Sequence, residues 1–251
     1  MANEIICDNL RKSITGREIL RGVTLKAKQG QIVALLGPNG AGKTTAFSIL
    51  CGLVKPTSGN VFFNDLNITD TPMYKRARMG IGYLPQESSV FRGLTVEENI
   101  YAVLDMNGFS KSEAKTVMEN LIQDLELDHV RKSPSVSVSG GERRKLEIAR
   151  SLATNPKFIL LDEPFAGIDP LAIAEMQNMI IKLKKKNIGV IITDHNVRDT
   201  LPLADYAYLL FDGKVLLEGT ASEIINSKDA QKIYLGETFS RYNSIHDGEE
   251  Q

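Results

Sequence analysis

The segment GPNGAGKTT at positions 37–45 has the residue types and spacing of a loop that binds phosphate. It follows the apolar run IVALL and precedes the apolar run AFSILCGL, which predicts the order strand, loop, helix. Glycines let consecutive backbone N–H groups converge on one anion, and the positive end of the following helix attracts the same anion. The residues predicted to bind the nucleotide phosphates are Gly37, Pro38, Asn39, Gly40, Ala41, Gly42, Lys43, Thr44 and Thr45.

Four side chains could complete a hydrolytic site around this loop. Lys43 is expected to reach the β- and γ-phosphates, and the Thr44 hydroxyl is expected to bind Mg²⁺. Further along, the apolar run FILLDE ends in Asp162 and Glu163. Ligands of open α/β sheets bind at the carboxyl ends of the strands. We therefore expect Asp162 to hold Mg²⁺ through water and Glu163 to orient and deprotonate the attacking water.

A second anion site is indicated by SGGERRK, where small residues begin an amphipathic helix. Alone this pattern is weak evidence, because any capped helix can begin in the same way. Its members are Ser139, Gly140, Gly141 and Glu142.

The flanking patterns predict an α/β fold: a P-loop NTPase core with a mostly parallel sheet, an N-terminal antiparallel β subdomain and an inserted helical subdomain. The segments EIICDNL and REILRGVTLKA are interpreted as two antiparallel strands, because the turn residues SITG at 13–16 join them. Capping boxes at Thr95, with Glu98, and at Ser110, with Glu113, indicate helices inside a lobe at about 88–155. We expect one domain at 1–240 and a flexible tail at 241–251.

Composition restricts the partners. The net charge of −1 and the absence of a basic stripe argue against nucleic acid. No apolar run approaches the roughly 18 residues that cross a bilayer, so direct membrane insertion is not expected. Cys7 and Cys51 lack metal or redox spacing and are interpreted as thiols in a reducing cytosol. His129 and His246 match no motif and are interpreted as solvated.

Six motifs resemble, in order and spacing, those of the ABC transporter ATPases: GPNGAGKTT, YLPQ, SGGE, FILLDEP, AGID and ITDH. The resemblance covers nearly the whole chain and implies ATP, Mg²⁺ and a homodimer. In that family, the phosphate loop of one subunit and the SGGE segment of the other enclose each ATP. By position, Gln86 would contact Mg²⁺ and sense the γ-phosphate, Asp169 would line the dimer seam, and His195 would act on the γ-phosphate. The plainer alternatives are a helix cap for Asp169 and a core histidine for His195.

Two departures from the family pattern affect nucleotide binding. Val138 and Glu142 replace the usual leucine and glutamine around the signature glycines, which are kept. The aromatic residue that stacks on adenine is replaced by Ile14, which offers contact area but no π-face. Arg17 could supply a planar guanidinium there, or it could be a solvated turn residue.

Within the family, stretches such as SVFRGLTVEENI and ITDHNVRDTL resemble the ATPases of lipopolysaccharide export. This implies a peripheral subunit on the cytoplasmic face of the inner membrane, bound to integral transporter subunits through their coupling helices. The groove that receives these helices would be lined by Val90, Phe91, Arg92 and Leu94, although Phe91 could instead pack under its own loop. The alternatives are a branched-chain amino-acid importer and a soluble ABC protein that acts as a nucleotide-dependent switch.

Overall fold

The computed structural model describes residues 2–167 and 169–230. The strands are β1 Glu4–Ile14, β2 Arg17–Lys28, β3 Ile32–Leu36, β4 Ser58–Phe63, β5 Leu66–Asn67, β6 Ile81–Leu84, β7 Phe158–Asp162, β8 Gly189–Asp194, β9 Tyr206–Phe211 and β10 Lys214–Gly219. The helices are α1 Lys43–Cys51, α2 Met73–Arg78, α3 Val96–Met106, α4 Lys111–Asp124, α5 Gly140–Leu152, α6 Pro170–Lys185, α7 Val197–Thr200, α8 Ala221–Asn226 and α9 Lys228–Ala230. The predicted tail at 241–251 and His246 lie outside the described residues.

Two sheets form the framework. The larger has the order β10-β9-β3-β8-β7-β6, and all its neighbours are parallel except the hairpin of β9 and β10. The smaller is antiparallel, with the order β2-β1-β4-β5. The predicted α/β class, with a mostly parallel core and an N-terminal antiparallel part, is confirmed.

Strand β7 is apolar from Phe158 to Leu161, on both of its faces, before it ends at Asp162. Phe158 and Leu160 belong to the core that includes α1 and residues of both sheets. Ile159 and Leu161 belong to a second core that includes α3, α4, α5 and α6. Because successive strand residues point to opposite faces, a strand covered on both faces has apolar residues on both of them.

Helices α3, α4 and α5 each begin at a capping box, which the sequence predicted for α3 and α4. Thr95, Ser110 and Ser139 each accept a hydrogen bond from the backbone N–H three residues on, and each is capped in return by a glutamate. These bonds satisfy N–H groups that have no partner inside a helix. The predicted limits of the helical lobe, about 88–155, stay a prediction.

Candidate active site

The strand register brings separate motifs to one edge of the large sheet. Leu36, the last residue before the phosphate loop, is paired with Asp194. Asp162 is paired with Thr193 on the next strand. Because these strands are parallel, their carboxyl ends lie side by side and their loops open on the same surface.

The phosphate loop has a backbone that only glycine accommodates at key points. Gly42 has φ 102° immediately before α1, and a Cβ at Gly37 would collide with the carbonyl oxygen of Leu210. Lys43 is buried, and its Nζ donates to the carbonyl oxygens of Gly37 and Pro38 at 2.7 and 3.1 Å. Along the rest of the loop, Ala41 is buried, Thr45 is half-buried, and Asn39, Gly40 and Thr44 are exposed.

Carboxylates at the ends of β7 and β8 influence the pKa of Lys43. Burial lowers the pKa of its ammonium, and the nearby carboxylates of Glu163, Asp194 and Asp162 act in the opposite direction. Lys43 is therefore close enough to be stabilised electrostatically by carboxylates at and just after the ends of β7 and β8.

Gln86 and His195, the other two side chains predicted to act in catalysis, both approach the carboxylate of Glu163. Its Oε2 accepts a hydrogen bond from Gln86 Nε2 at 2.9 Å and lies 3.5 Å from His195 Nδ1. The Glu163 backbone has φ 45°, and its N–H donates to the carbonyl of Thr193. The tertiary structure therefore brings Gln86, Glu163 and His195 together from three chain segments.

Asp162 is buried behind Glu163. Its Oδ1 accepts a bond from Thr193 Oγ1 at 2.6 Å, and its Oδ2 lies 3.5 Å from the Tyr83 hydroxyl. Burial raises the pKa of the Asp162 carboxyl, while the Thr193 bond acts against this rise.

Asp194 is a further carboxylate at this edge that the motifs did not single out. It is 1% exposed, and its Oδ1 accepts from the backbone N–H of Asn196. Among the described atoms, its buried Oδ2 has no hydrogen-bond partner, and burial raises the pKa of the group. Its place at a strand end beside His195 is the signal that could have identified it.

Arg144 on α5 was also missed. This buried side chain donates to the carbonyl oxygens of Pro85 and Asp162 at 2.9 and 3.3 Å, and it pairs with Glu147 at 2.9 Å. Glu147 in turn accepts from the backbone N–H of Ser89. The pair therefore holds the backbone on both sides of Gln86. Arg144 lies in the basic run ERRK, and nothing in the sequence pointed to this contact.

The signature residues lie at a separate surface pocket. Ser139, Gly141 and Glu142 line it together with Asp169 and His129. Gly140 is exposed as the first residue of α5. Asp169 Oδ1 accepts from the N–H of Ala172, which is the expected cap of α6. In the part of the chain that the structure describes, the lining of this pocket includes no residue of the phosphate loop.

Ile14 and Arg17 flank the tight turn between β1 and β2, and both are exposed. The exposed fraction of Ile14 is 47%. An exposed apolar surface of this kind is suited to contact with a flat ring.

The segment that follows Gln86 presents an aromatic side chain on a fixed backbone. Asn99 donates to and accepts from the backbone of Phe91, and Ser135 Oγ donates to its carbonyl oxygen. The Arg150 guanidinium lies 4.3 Å from the centre of the Phe91 ring. Val90 packs against the core, Leu94 is half-buried and Arg92 is exposed.

A comparison with known protein families matches residues 20–166 to the model described as ABC transporter. The chain belongs to this family. It is 50% identical to an uncharacterised ABC transporter ATP-binding protein of Rhizobium meliloti, over 94% of the chain and 87% of the relative. It is 48% identical to the lipopolysaccharide export system ATP-binding protein LptB of Acidithiobacillus ferridurans, over 95% of the chain and 99% of the relative.

Solved structures of ABC cassettes have the same fold. One is the dimeric post-hydrolysis state of the cassette MJ0796 bound to ADP and phosphate, with a TM-score of 0.76, 26% identity, and coverage of 86% of this chain and 98% of that one. The protein is therefore an ABC ATPase that binds and hydrolyses ATP. Within residues 2–167 and 169–230, no helix is both long and apolar enough to span a bilayer.

Proposed function

We propose that this ABC ATPase dimerises on ATP and powers the extraction of lipopolysaccharide from the inner membrane. The observation that carries the cargo assignment is the 48% identity to LptB of Acidithiobacillus ferridurans, which extends over 99% of that protein. The partners are then integral transporter subunits, whose coupling helices dock beside Phe91, and the enzyme acts on the cytoplasmic face of that membrane.

In the proposed chemistry, Glu163 takes a proton from the attacking water. Its Oε2 receives the bond from Gln86 and lies near His195, so both side chains can report on or act on the γ-phosphate beside the base. When ATP binds, Lys43 Nζ donates to phosphate oxygens in place of the carbonyl oxygens of the loop. These charge-assisted bonds offset the free-energy cost of burying its ammonium group.

The three residues assigned to Mg²⁺ carry atoms that suit this ion. The Thr44 hydroxyl, the Asp162 carboxylate and the amide oxygen of Gln86 are hard oxygen donors of the kind that Mg²⁺ prefers. Among the described residues there is no group of three His, Cys, Asp or Glu that could hold a metal by itself. A magnesium site completed by ATP phosphates agrees with this small donor set. When bound, Mg²⁺ would neutralise charge on the β- and γ-phosphates.

A second copy of the chain would complete the site. The signature pocket and the phosphate loop lie at different places on one subunit, and the MJ0796 cassette is dimeric in its post-hydrolysis state. We therefore assign Ser139, Gly140, Gly141 and Glu142 to the ATP held by the partner's phosphate loop, and Asp169 to the seam between the two copies.

Affinity purification of the tagged chain from detergent-solubilised membranes tests the cargo assignment. Mass spectrometry of the co-purifying proteins should identify lipopolysaccharide-transport membrane subunits, and lipopolysaccharide should stimulate the ATPase activity of the reconstituted complex. Recovery of amino-acid permease subunits instead would refute the cargo while leaving the ATPase intact. A Phe91→Ala chain is the matched control, because it should hydrolyse ATP but recover no membrane subunit.

A further inference from the structure

Glu142 divides its carboxylate between two partners. Its Oε2 accepts from the Ser139 N–H at 2.8 Å and from Ser139 Oγ at 2.7 Å, which forms the capping box of α5. Its Oε1 lies 2.8 Å from Nε2 of His129, a residue in the turn after α4. His129 is exposed, as the sequence predicted, but it is also bonded to the helix that carries the signature.

The direction of the His129 bond follows from the charge of Glu142. The Ser139 side-chain and backbone bonds, with a smaller contribution from His129, hold the pKa of this carboxyl below its ordinary value. An ionised carboxylate can only accept hydrogen bonds. The proton between the two groups is therefore carried by His129 Nε2.

The other charged groups around the pocket are paired elsewhere. Lys145 Nζ lies 2.9 Å from Glu175 and 3.9 Å from Glu126, and Lys182 also pairs with Glu126. Asp169 caps α6. His129 is the basic side chain that pairs with Glu142, and both line the pocket assigned to the partner's ATP.

A carboxylate is an unusual neighbour for a triphosphate. Like charges at close range repel, and the negative charge of Glu142 lies on the first turn of the helix whose positive end would attract phosphate. If Oε1 had no hydrogen-bond donor, the carboxylate could rotate toward the incoming phosphate and repel it. A donor that holds Oε1 would keep the carboxylate on the Ser139 cap.

We propose that His129 is a positioning residue, which holds Glu142 on Ser139 so that the N-terminal end of α5 can accept the ATP phosphates carried by a second copy of the chain. The inference rests on the ATP-dependent dimer of the proposed function. A glutamine at position 142 has no negative charge to restrain, so His129 matters only while Glu142 is present.

The test is a two-by-two set of variants in a Glu163→Gln background, which slows hydrolysis. The ATP concentration for half-maximal dimerisation is measured by analytical ultracentrifugation. His129→Ala should raise this ATP concentration about ten-fold, which is the scale of a lost hydrogen bond to a charged group. His129→Gln should restore dimerisation, because its amide nitrogen can donate from nearly the same position. In the Glu142→Gln background, His129→Ala should change it by less than about two-fold.

Two controls separate this role from a purely structural one. The thermal unfolding midpoint and the ATP affinity of the dilute monomer should be the same for His129→Ala and its parent. An unchanged dimerisation midpoint, an equal loss in the Glu142→Gln background or no recovery with His129→Gln would overturn the proposal. If the parent itself does not dimerise with ATP, the proposed dimer is wrong and the role of His129 is refuted with it.

Discussion

Gln86 Nε2 donates to Glu163 Oε2 at 2.9 Å, although 77 residues separate the two. Gln86 begins the segment that leads to Phe91, and Arg144 and Glu147 hold the backbone at Pro85 and Ser89 on either side of it. The proposed base is therefore bonded directly to the segment that would meet the membrane partner. Movement of that segment would be transmitted to the base through one hydrogen bond.

Replacing Glu163 with glutamine should reduce ATP turnover by roughly 10²- to 10⁴-fold. The amide has nearly the same shape and can still accept from Gln86, but it cannot take a proton from water. Steady-state phosphate release should fall while ATP affinity, measured by calorimetry, is kept. Glu218→Gln, at an exposed position on β10, is the control and should leave turnover unchanged. Near-normal turnover of Glu163→Gln with membrane partners present would rule out the proposed base.

Replacing Ile14 with tyrosine should tighten ATP binding, because the ring adds a π-face at an exposed position beside the turn. Base–aromatic stacking is worth about 1–3 kcal/mol in single-stranded nucleic-acid proteins, which indicates the scale. Titration calorimetry of Ile14→Tyr is compared with Ile14→Leu, which changes the side chain without adding a π-face. Equal affinities for all three proteins would show that adenine does not bind at this turn. The wild-type protein should discriminate poorly between ATP and GTP.

Replacing Phe91 with alanine should release the membrane partners at a cost of about 2 kcal/mol or more, which is typical of a central interface anchor. The loop itself should persist, because Asn99 and Ser135 bind the backbone of Phe91 rather than its ring. Phe91 is half-buried, and Phe211→Ala, which removes an exposed aromatic side chain on β9, should keep the partners. Pull-down from solubilised membranes measures the difference, and full partner retention by Phe91→Ala would place the docking groove elsewhere.

Replacing Arg76 with methionine should destabilise the fold by on the order of 3 kcal/mol, since several buried carbonyl groups lose a charged donor. Arg76 is 1% exposed. Its guanidinium donates to the carbonyl oxygens of Ile49, Leu50, Ile68, Thr69 and Thr71. Arg78→Met, at an exposed position on the same helix, should change the free energy of unfolding by less than about 0.5 kcal/mol. Urea unfolding of both variants gives the comparison, and similar midpoints would contradict the structural role of Arg76.

Replacing Asp194 with asparagine should stabilise the folded protein at pH 7 and flatten its stability against pH. Burial raises the folded-state pKa of Asp194, so the unfolded chain releases this proton at lower pH than the folded chain does. The contribution of Asp194 to the free energy of unfolding is therefore fully present below its unfolded pKa, about 4, and is lost as the pH rises through its folded pKa. Chemical unfolding from pH 4 to 8 measures this, with the exposed Asp212→Asn as control. A lower free energy of unfolding for Asp194→Asn than for the wild type at pH 7 would contradict this prediction, because it would show that the folded protein stabilises the ionised Asp194.

Local sequence determined the elements and the predicted hydrolytic chemistry. Turn residues at 13–16 predicted the first hairpin, and a serine or threonine followed three residues later by glutamate predicted the starts of α3 and α4. The glycine-rich loop could be identified because its backbone conformation and its phosphate-binding groups reside in nine consecutive residues. Each of these signals depends on residues that are close together in the sequence, so it can be identified without knowing how the chain folds.

The tertiary structure alone decided which distant side chains meet. Glu163 reaches Gln86 and His195 because β6, β7 and β8 are adjacent and in register, and strand order is not written in the periodicity of any one strand. Arg144 lies in a basic run, yet it is buried and donates to the carbonyl oxygen of Asp162 at the end of β7. His129 matched no motif and acquires its partner only because the turn after α4 lies beside the start of α5. Burial and charge pairing depend on distances between elements, and those distances are set by the packing of the whole domain.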